Sequence, residues 1–213
     1  SHELRTPLAR IQAALGLAQQ RQGQMNGPEV DSPELDSIEQ ECQLLDGMID
    51  ELLQEFRPIT LDDSIDLEAM LAAMIDNNRL EIDAKSLQCD QRLDPLARPL
   101  RANAKLLYSA LENIFRNAIR HSPQQSRISV ALYLHATDIR IEITDQGPGV
   151  AEEELKRLFQ PFYRADSHRD RRDGGYGLGL AIAQRAARAH RGEIAANNAE
   201  PGLCVSLKLP CHL

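Results

Sequence analysis

The sequence lacks the features expected of a membrane-spanning or nucleic-acid-binding chain. No run of 18 or more apolar residues occurs, so no segment is predicted to cross a bilayer. The net charge is −8, whereas binding to the phosphate backbone of a nucleic acid calls for clustered lysine and arginine. No secretory signal peptide and no low-complexity segment are visible either. With 42% hydrophobic and 26% charged residues, the composition is that of a globular protein without nucleic-acid or membrane contacts.

The cysteines are few and irregularly placed. Cys42, Cys89, Cys204 and Cys211 fall in no metal-ligand spacing, and Cys42 lies on an apolar helical stripe where a small core residue fits. We therefore expect neither a cysteine metal site nor a disulfide, and we expect a reduced, cytoplasmic compartment.

The charge divides the chain into two parts. Residues 1–57 carry 4 basic and 11 acidic side chains, whereas residues 58–213 carry 20 and 21. The first part has two helical stripes separated by the turn formers of residues 22–34. The first stripe consists of Leu4, Leu8, Ile11 and Leu15, and the second is a heptad seam of Leu35, Ile38, Cys42, Leu45, Ile49, Leu52 and Phe56.

An antiparallel hairpin of two such helices leaves apolar surface uncovered, because Leu44, Met48 and Leu52 form another stripe. We therefore predict a four-helix bundle built from two copies of the chain, a homodimer through residues 1–57. Pro58 marks the end of the second helix. The chain opens inside a helical pattern, so we expect it to be a fragment of a longer protein.

The second part alternates between helical and strand-like patterns. Helical patterns occupy residues 67–84, 103–121, 151–158 and 178–191. Strand-like runs occupy Arg127–Leu134, Asp138–Asp145, Glu193–Asn197 and Leu203–Leu209, with a weaker run at Ser86–Leu93. This mixture predicts a two-layer α/β sandwich of about 150 residues.

A histidine at the start of the first helix is a candidate nucleophile. His2 precedes the buried-type Leu4 and Leu8, and Glu3 beside it can take or hold the second ring proton. Thr6 stands one helical turn after His2. A surface histidine that merely caps a helix is the alternative interpretation.

The helix at 103–121 has a second, polar face. Leu107, Leu111, Ile114 and Ala118 form its core stripe, while Asn113, Asn117, Arg120 and His121 share another face. Amide oxygens suit Mg²⁺, and amide and guanidinium donors suit a polyphosphate. An ordinary exposed helix face has a similar pattern.

Two glycine-rich turns complete the candidate site. In Asp145–Gly149, which includes Gly147, a carboxylate can accept from the amine of adenine and the glycines permit close approach; a plain turn is the alternative. The run Gly174–Leu180, with Gly175, Gly177, Leu178 and Gly179, leads into an apolar helix whose N-terminus can bind phosphates. It is neither a Walker loop nor a dinucleotide fingerprint. The arginine-rich stretch 167–173 before it is predicted to be a lid.

Together these motifs resemble, in content and order, the sensor histidine kinases of bacterial two-component systems. His2–Leu8 resembles the H box of that family, Glu112–His121 its N box, Asp145–Gly149 its G1 box, Phe159–Phe162 its F box and Gly175–Gly179 its G2 box. The runs Glu-Asn-Ile-Phe-Arg-Asn-Ala and Gly-Leu-Gly-Leu-Ala-Ile are most similar to Cpx-type envelope-stress sensor kinases.

The resemblance implies a dimerisation and histidine-phosphotransfer domain at 1–57 and an ATP-binding domain of the Bergerat fold at 58–213. It implies His2 as phosphoacceptor, Glu3 as base, Asn117 as Mg²⁺ ligand and Asp145 on adenine. It also implies transfer to the receiver domain of a response regulator, and phosphatase activity through Thr6. The full-length parent would be an inner-membrane protein with this portion in the cytoplasm. Further ATP-binding positions implied are Asn113, Arg116, Arg120, His121, Gly147, Gly149, Arg164, Gly175, Gly177, Leu178 and Gly179.

Two other functions compete with this one. Related ATPases of the chaperone or mismatch-repair kind place a water-activating Glu four residues before the metal-binding Asn, where this chain has Asn113. A degenerate kinase that only binds partners is the second, although every expected functional position is filled.

Overall fold

The structure, a computed structural model, describes residues 59–96, 98–165 and 177–211. The chain divides into two units, Ser1–Pro58 and Ile59–Leu213, and the described residues belong to the second. The predicted hairpin of residues 1–57, with His2, Glu3 and Thr6, lies outside them. So do Gly175 and the predicted lid at 167–173.

A five-stranded sheet forms one layer of the second unit. Its order is β2-β4-β5-β7-β6, with β2 parallel to β4 and the other neighbours antiparallel. Buried and half-buried residues alternate along β7, as the predicted period of two requires. The strands are β2 (Gln88–Leu93), β4 (Arg127–Leu134), β5 (Asp138–Thr144), β6 (Glu193–Asn198) and β7 (Leu203–Pro210).

Four helices form the second layer, and they are α1 (Leu67–Asn77), α2 (Arg79–Ala84), α3 (Ala104–His121) and α4 (Gly179–Ala189). The predicted core stripe of α3 is buried. Asn103 caps α3, because its Oδ1 accepts from the N–H of Leu106 at 3.0 Å. The predicted α/β sandwich is thereby confirmed.

A buried histidine joins α3 to α4. His190, fully buried at the end of α4, lies with Nδ1 2.7 Å from the carbonyl oxygen of Ala186. Its Nε2 accepts from the backbone N–H of Asn103 at 3.0 Å. This bridge fixes the end of α4 against the start of α3.

Three details differ from the sequence prediction. The helical pattern at 67–84 forms two helices that are separated at Asn78. The buried side-chain Nδ2 of Asn78 donates to the carbonyl of Met74 there. The pattern at 151–158 forms only turns and a 3₁₀ segment at Leu155–Arg157. A two-stranded antiparallel sheet of β1 (Asp63–Ile65) and β3 (Leu100–Ala102) was not predicted.

Among the helices of the described ranges, none combines the length and the apolar character that a bilayer span demands.

Candidate functional site

A buried carboxylate lies at the centre of the candidate site. Asp145 directly follows β5 and is only 3% exposed. Its Oδ1 accepts from the N–H of Gly147 at 2.8 Å and from the N–H of Leu203, in β7, at 3.2 Å. Burying a carboxylate is costly unless hydrogen bonds compensate, so these two donors hold both its place and its orientation. The sequence predicted Asp145 as the adenine contact.

The turn after Asp145 fits closely against the end of α3. A Cβ atom on Gly147 would lie 2.7 Å from the carbonyl oxygen of His121, so only glycine allows this approach. Gly202, from the β6–β7 turn, packs against the backbone of Asp145 in the same way, with φ at +109°. The predicted G1 turn and the end of the predicted N box are therefore neighbours.

Asn198, the last residue of β6, fixes the other end of this turn. Its Oδ1 accepts from the N–H of Val150 at 2.9 Å and its Nδ2 donates to the carbonyl of Val150 at 2.7 Å. Gly149, at φ +71°, packs against the same Oδ1. Asn198 was not among the residues predicted from the sequence. The only signal was an asparagine that ends a strand beside a turn, which is a common pattern.

The polar face of α3 meets the start of α4. Asn113 is half-buried and its Nδ2 donates to the carbonyl of Ser109 at 2.8 Å. A Cβ on Gly179 would lie 2.9 Å from Asn113 Oδ1, so α4 begins directly against this face. Arg120 and His121 continue the face to the end of α3.

The Asn117 side chain forms no hydrogen bond with any of the described residues. Its amide oxygen is therefore available as a ligand, and an oxygen donor is what Mg²⁺ prefers. Within the described ranges, no cluster of three or more His, Cys, Asp or Glu side chains could hold a metal ion alone.

The predicted F and G2 boxes meet in space. The N–H of Phe162 donates to the carbonyl of Gly177 at 3.0 Å, and Gly177 adopts φ +71° against the carbonyl of Tyr163. Tyr163 is held from the other side, because its hydroxyl donates to Glu154 Oε1 at 2.6 Å and Arg157 lies 4.3 Å from its ring centre.

Arg164 follows this contact and is half-buried, while Leu178 precedes the first turn of α4 without a side-chain cap. Among the described residues no side chain therefore caps the first N–H groups of α4, and phosphate binding by this helix end stays a prediction.

The structure thus brings two predicted segments against α3 and a third against the residues before α4. The turn at 145–149 meets the end of α3, Gly179 of α4 meets its middle, and residues 162–163 meet Gly177, two residues before α4 begins. Arg116 lies elsewhere, because its Nη2 is 3.2 Å from Glu81 in α2.

Comparison with known sequences identifies two domain families. Residues 102–213 match the family described as histidine kinase-, DNA gyrase B- and HSP90-like ATPase, and residues 1–59 match the His Kinase A (phospho-acceptor) domain. The sensor histidine kinase CpxA of Escherichia coli (strain K12) is 38% identical over 217 residues, which covers 100% of this chain and 46% of that protein. The chain thus spans about half the length of this curated relative.

Solved histidine kinases share the fold. AdeS of Acinetobacter baumannii superposes with a TM-score of 0.78 at 22% identity, covering 100% of this chain and 99% of that one. Histidine kinase ThkA, solved in complex with response regulator protein TrrA, gives a TM-score of 0.76 at 20% identity and covers 99% and 59%. The two domain matches of this chain and its 38% identity to CpxA, together with the geometry above, establish that the chain belongs to the sensor histidine kinases and is Cpx-like.

Proposed function

We propose that this chain binds ATP with Mg²⁺ in its second unit, transfers the γ-phosphoryl group to His2, and passes it to a response regulator. The observation that carries the proposal is the buried Asp145, held by two backbone donors in a turn whose glycines pack directly against the protein around them. A buried carboxylate in a fixed position can select a base that offers an exocyclic amine.

Different described residues bind the adenine, the phosphates and the Mg²⁺ ion in this proposal. Asp145 accepts from the adenine amine, and the start of α4 with Gly177 and Gly179 offers N–H groups to the phosphates. Asn117 supplies an amide oxygen to Mg²⁺, which when bound offsets the negative charge of the phosphates. Arg120, His121 and Arg164 add donors around the same phosphates.

The first chemical step transfers the γ-phosphoryl group from an oxygen of ATP to a ring nitrogen of His2. A ring nitrogen of His2 forms the new bond to the γ-phosphorus while the bond to the β,γ-bridging oxygen breaks, and ADP leaves with that electron pair. The attacking nitrogen is the unprotonated one of a neutral imidazole, and Glu3 takes the proton of the other ring nitrogen as the N–P bond forms, so that no positive charge remains on the ring. The phosphoryl group then moves from His2 to an aspartate carboxylate of the receiver domain.

The partners follow from the same proposal. The helical pattern of residues 1–57 and the His Kinase A match support a homodimer formed by those residues. The relative ThkA, solved with a response regulator, supports a receiver domain as the acceptor. We also propose that the full-length protein is a membrane-bound sensor and that this portion lies in the cytoplasm.

ATP hydrolysis by water is the function that the site supports less well. Asn113 occupies the position where the related ATPases carry a glutamate, and its amide already donates to the carbonyl of Ser109. An amide cannot accept a proton from water at neutral pH, so the described helix offers no base at this position.

The test combines binding and transfer. Calorimetry with ATP and Mg²⁺ should show binding by the wild type and its loss in Asp145→Asn, in which the amide oxygen can still accept from the N–H of Gly147. Radiolabel from γ-labelled ATP should appear on the wild type and not on His2→Ala, although His2→Ala binds nucleotide normally. Acid-labile label on His2→Ala would overturn the assignment of the phosphoacceptor. Binding without any transfer by the wild type would identify the degenerate, partner-binding alternative.

A further inference from the structure

Helix α2 and the two residues that flank it, Asn78 and Lys85, contact α3 at three successive levels. At the first level, Asn78 Nδ2 lies 3.0 and 3.1 Å from the two carboxylate oxygens of Glu112. At the second level, Arg116 Nη2 lies 3.2 Å from Glu81 Oε1. At the third level, Lys85 reaches the last turn of α3. These contacts lie on a different side of α3 from Asn113 and Asn117.

The contact at Lys85 is the most complete of the three. Its Nζ donates to the carbonyls of Ile119, Arg120 and Ser122 at 2.9, 2.7 and 3.2 Å. An ammonium group has three donors, so all of them are used. The last carbonyls of a helix have no partner within the helix, and a cation there also interacts favourably with the helix dipole.

The backbone strengthens the same junction. The N–H of Gln125 donates to the carbonyl of Lys85 at 2.9 Å, and the N–H of Gln88 donates to the carbonyl of Ser126 at 2.9 Å. The segment after α2 is therefore joined to the segment after α3 by main-chain bonds as well as by the lysine.

The last turn of α3 is the part on which the nucleotide site depends. Arg120 and His121 belong to it, and the carbonyl of His121 limits how closely Gly147 can approach. Gly147 in turn donates to the carboxylate of Asp145. A change in the carbonyls that Lys85 binds would consequently pass through two contacts to the adenine-binding carboxylate.

We propose that the segment 78–85, which contains α2, positions α3 for nucleotide binding, with Lys85 as the main positioning residue. Glu112 then acts through Asn78 and Arg116 through Glu81, and neither touches the nucleotide. This inference rests on the proposed ATP binding.

The first test compares the apparent KM for ATP and kcat of autophosphorylation in the full chain. Lys85→Met keeps the length of the side chain and removes the three donors, so KM should rise by about fivefold while kcat at saturating ATP stays within twofold of wild type. Lys85→Arg, which restores a cation with several donors, should recover part of the loss. Leu80→Gln is the matched control, because Leu80 is also on α2 but is 85% exposed, and its KM should equal that of the wild type.

A role of Lys85 in stability alone gives a different result. Fewer molecules would then be folded, so apparent kcat would fall while KM stayed unchanged, and that outcome would overturn the proposal. Calorimetry with ADP tests the proposed nucleotide binding separately from the positioning role of Lys85. A wild type that binds no ADP contradicts the proposed function, whereas equal ADP affinity for wild type and Lys85→Met contradicts only the positioning role.

The second test exchanges charges between the helices. Arg116→Glu places two carboxylates together and should raise KM by about two- to threefold, because exposed ion pairs contribute little. The double variant Glu81→Arg with Arg116→Glu restores an opposite pair and should return KM to the wild-type value. If Arg116 bound a phosphate directly, the double variant would keep the raised KM, and Arg116 would belong to the nucleotide site instead.

Discussion

Asn117 shows how one side chain can be tested apart from the helix that carries it. Its amide is the proposed Mg²⁺ ligand, and its removal leaves the buried side of α3 untouched. We expect Asn117→Ala to weaken binding of Mg·ATP by about tenfold, with little change in the binding of ADP without Mg²⁺. Calorimetry with and without Mg²⁺ measures both. Lys105→Ala, an exposed change on the same helix, is the control, and an unaltered Mg²⁺ dependence in Asn117→Ala would remove it from the metal site.

Cys89, in β2, should be an unreactive thiol. Burial, followed by the charge of Asp90, raises its pKa from 9.0 to about 11, with Arg79 opposing the shift. At pH 8 the folded protein therefore holds about a hundredfold less thiolate at this position than the unfolded chain, and alkylation should be about tenfold slower after the greater nucleophilicity of a basic thiolate is included. Peptide mapping after iodoacetamide treatment, with and without denaturant, measures the ratio. Equal rates would contradict the burial of this residue.

The same shift has a defined sign for stability. Because the folded pKa is raised, the thiol is neutral in both states below pH 9 and contributes no pH dependence there. Above pH 9 the unfolded state loses its proton first, so the free energy of unfolding should fall between pH 9 and about 11.

At the level of elements, the connection into α4 depends on a left-handed residue. Gly177→Ala would place a Cβ 2.5 Å from the carbonyl of Tyr163 at φ +71°, so we expect a loss of more than about 1 kcal/mol in the free energy of unfolding. Gly179→Ala is the comparison, since its φ is not positive and its nearest neighbour is the end of the Asn113 side chain. Its smaller cost is offset by the better helix propensity of alanine. Denaturation followed by circular dichroism measures both, and equal losses would contradict the argument.

Elements with a strong local period could be predicted from the sequence. The alternation of β4, β5 and β7 and the apolar stripe of α3 placed both layers of the sandwich correctly. The break at Asn78 could not be predicted, because the Glu112 carboxylate that holds its side chain is 34 residues away. The short β1 was missed for a similar reason, since Ile65 pairs with Leu100 and three residues carry no period of their own.

Site residues divided in the same way. Asp145 and the glycines were visible because their motifs are contiguous, and Asn198 was not because its role depends on a turn 48 residues earlier. The ion pair of Arg116 with Glu81 could not be predicted, because sequence order cannot tell which neighbouring helix a side chain meets, and its role at the nucleotide stays a prediction. The ligand and catalytic roles of all these residues stay predictions, and His2, Glu3, Thr6 and Gly175 also lie outside the described residues.

At the scale of the whole molecule, we predict that the protein also dephosphorylates its response regulator. Thr6, one helical turn from His2, is placed by the sequence where a water could be held for in-line attack on a partner's aspartyl phosphate. Thr6→Ala should therefore keep autophosphorylation and lose most of the phosphatase activity. The assay follows decay of a purified phosphorylated response regulator with ADP present, and His2→Ala serves as a control for reverse transfer. Equal decay rates with wild type and Thr6→Ala would sink the hypothesis.

The bond between Leu203 and Asp145 also bears on how the protein folds. The two residues are 58 positions apart, and β7 pairs with β5 over comparable separations. Closing so long a segment costs entropy before any contact repays it, so the turn around Asp145, the proposed adenine contact, should form late, when β7 joins the sheet. A chain in which β7 is unpaired lacks the bond from Leu203 to Asp145, and we therefore expect it not to bind ATP. If ATP binds the complete sheet and not the unfolded chain, ATP at about a hundred times its Kd would raise the free energy of unfolding by about 2.7 kcal/mol. The substrate would thereby stabilise the fold that binds it.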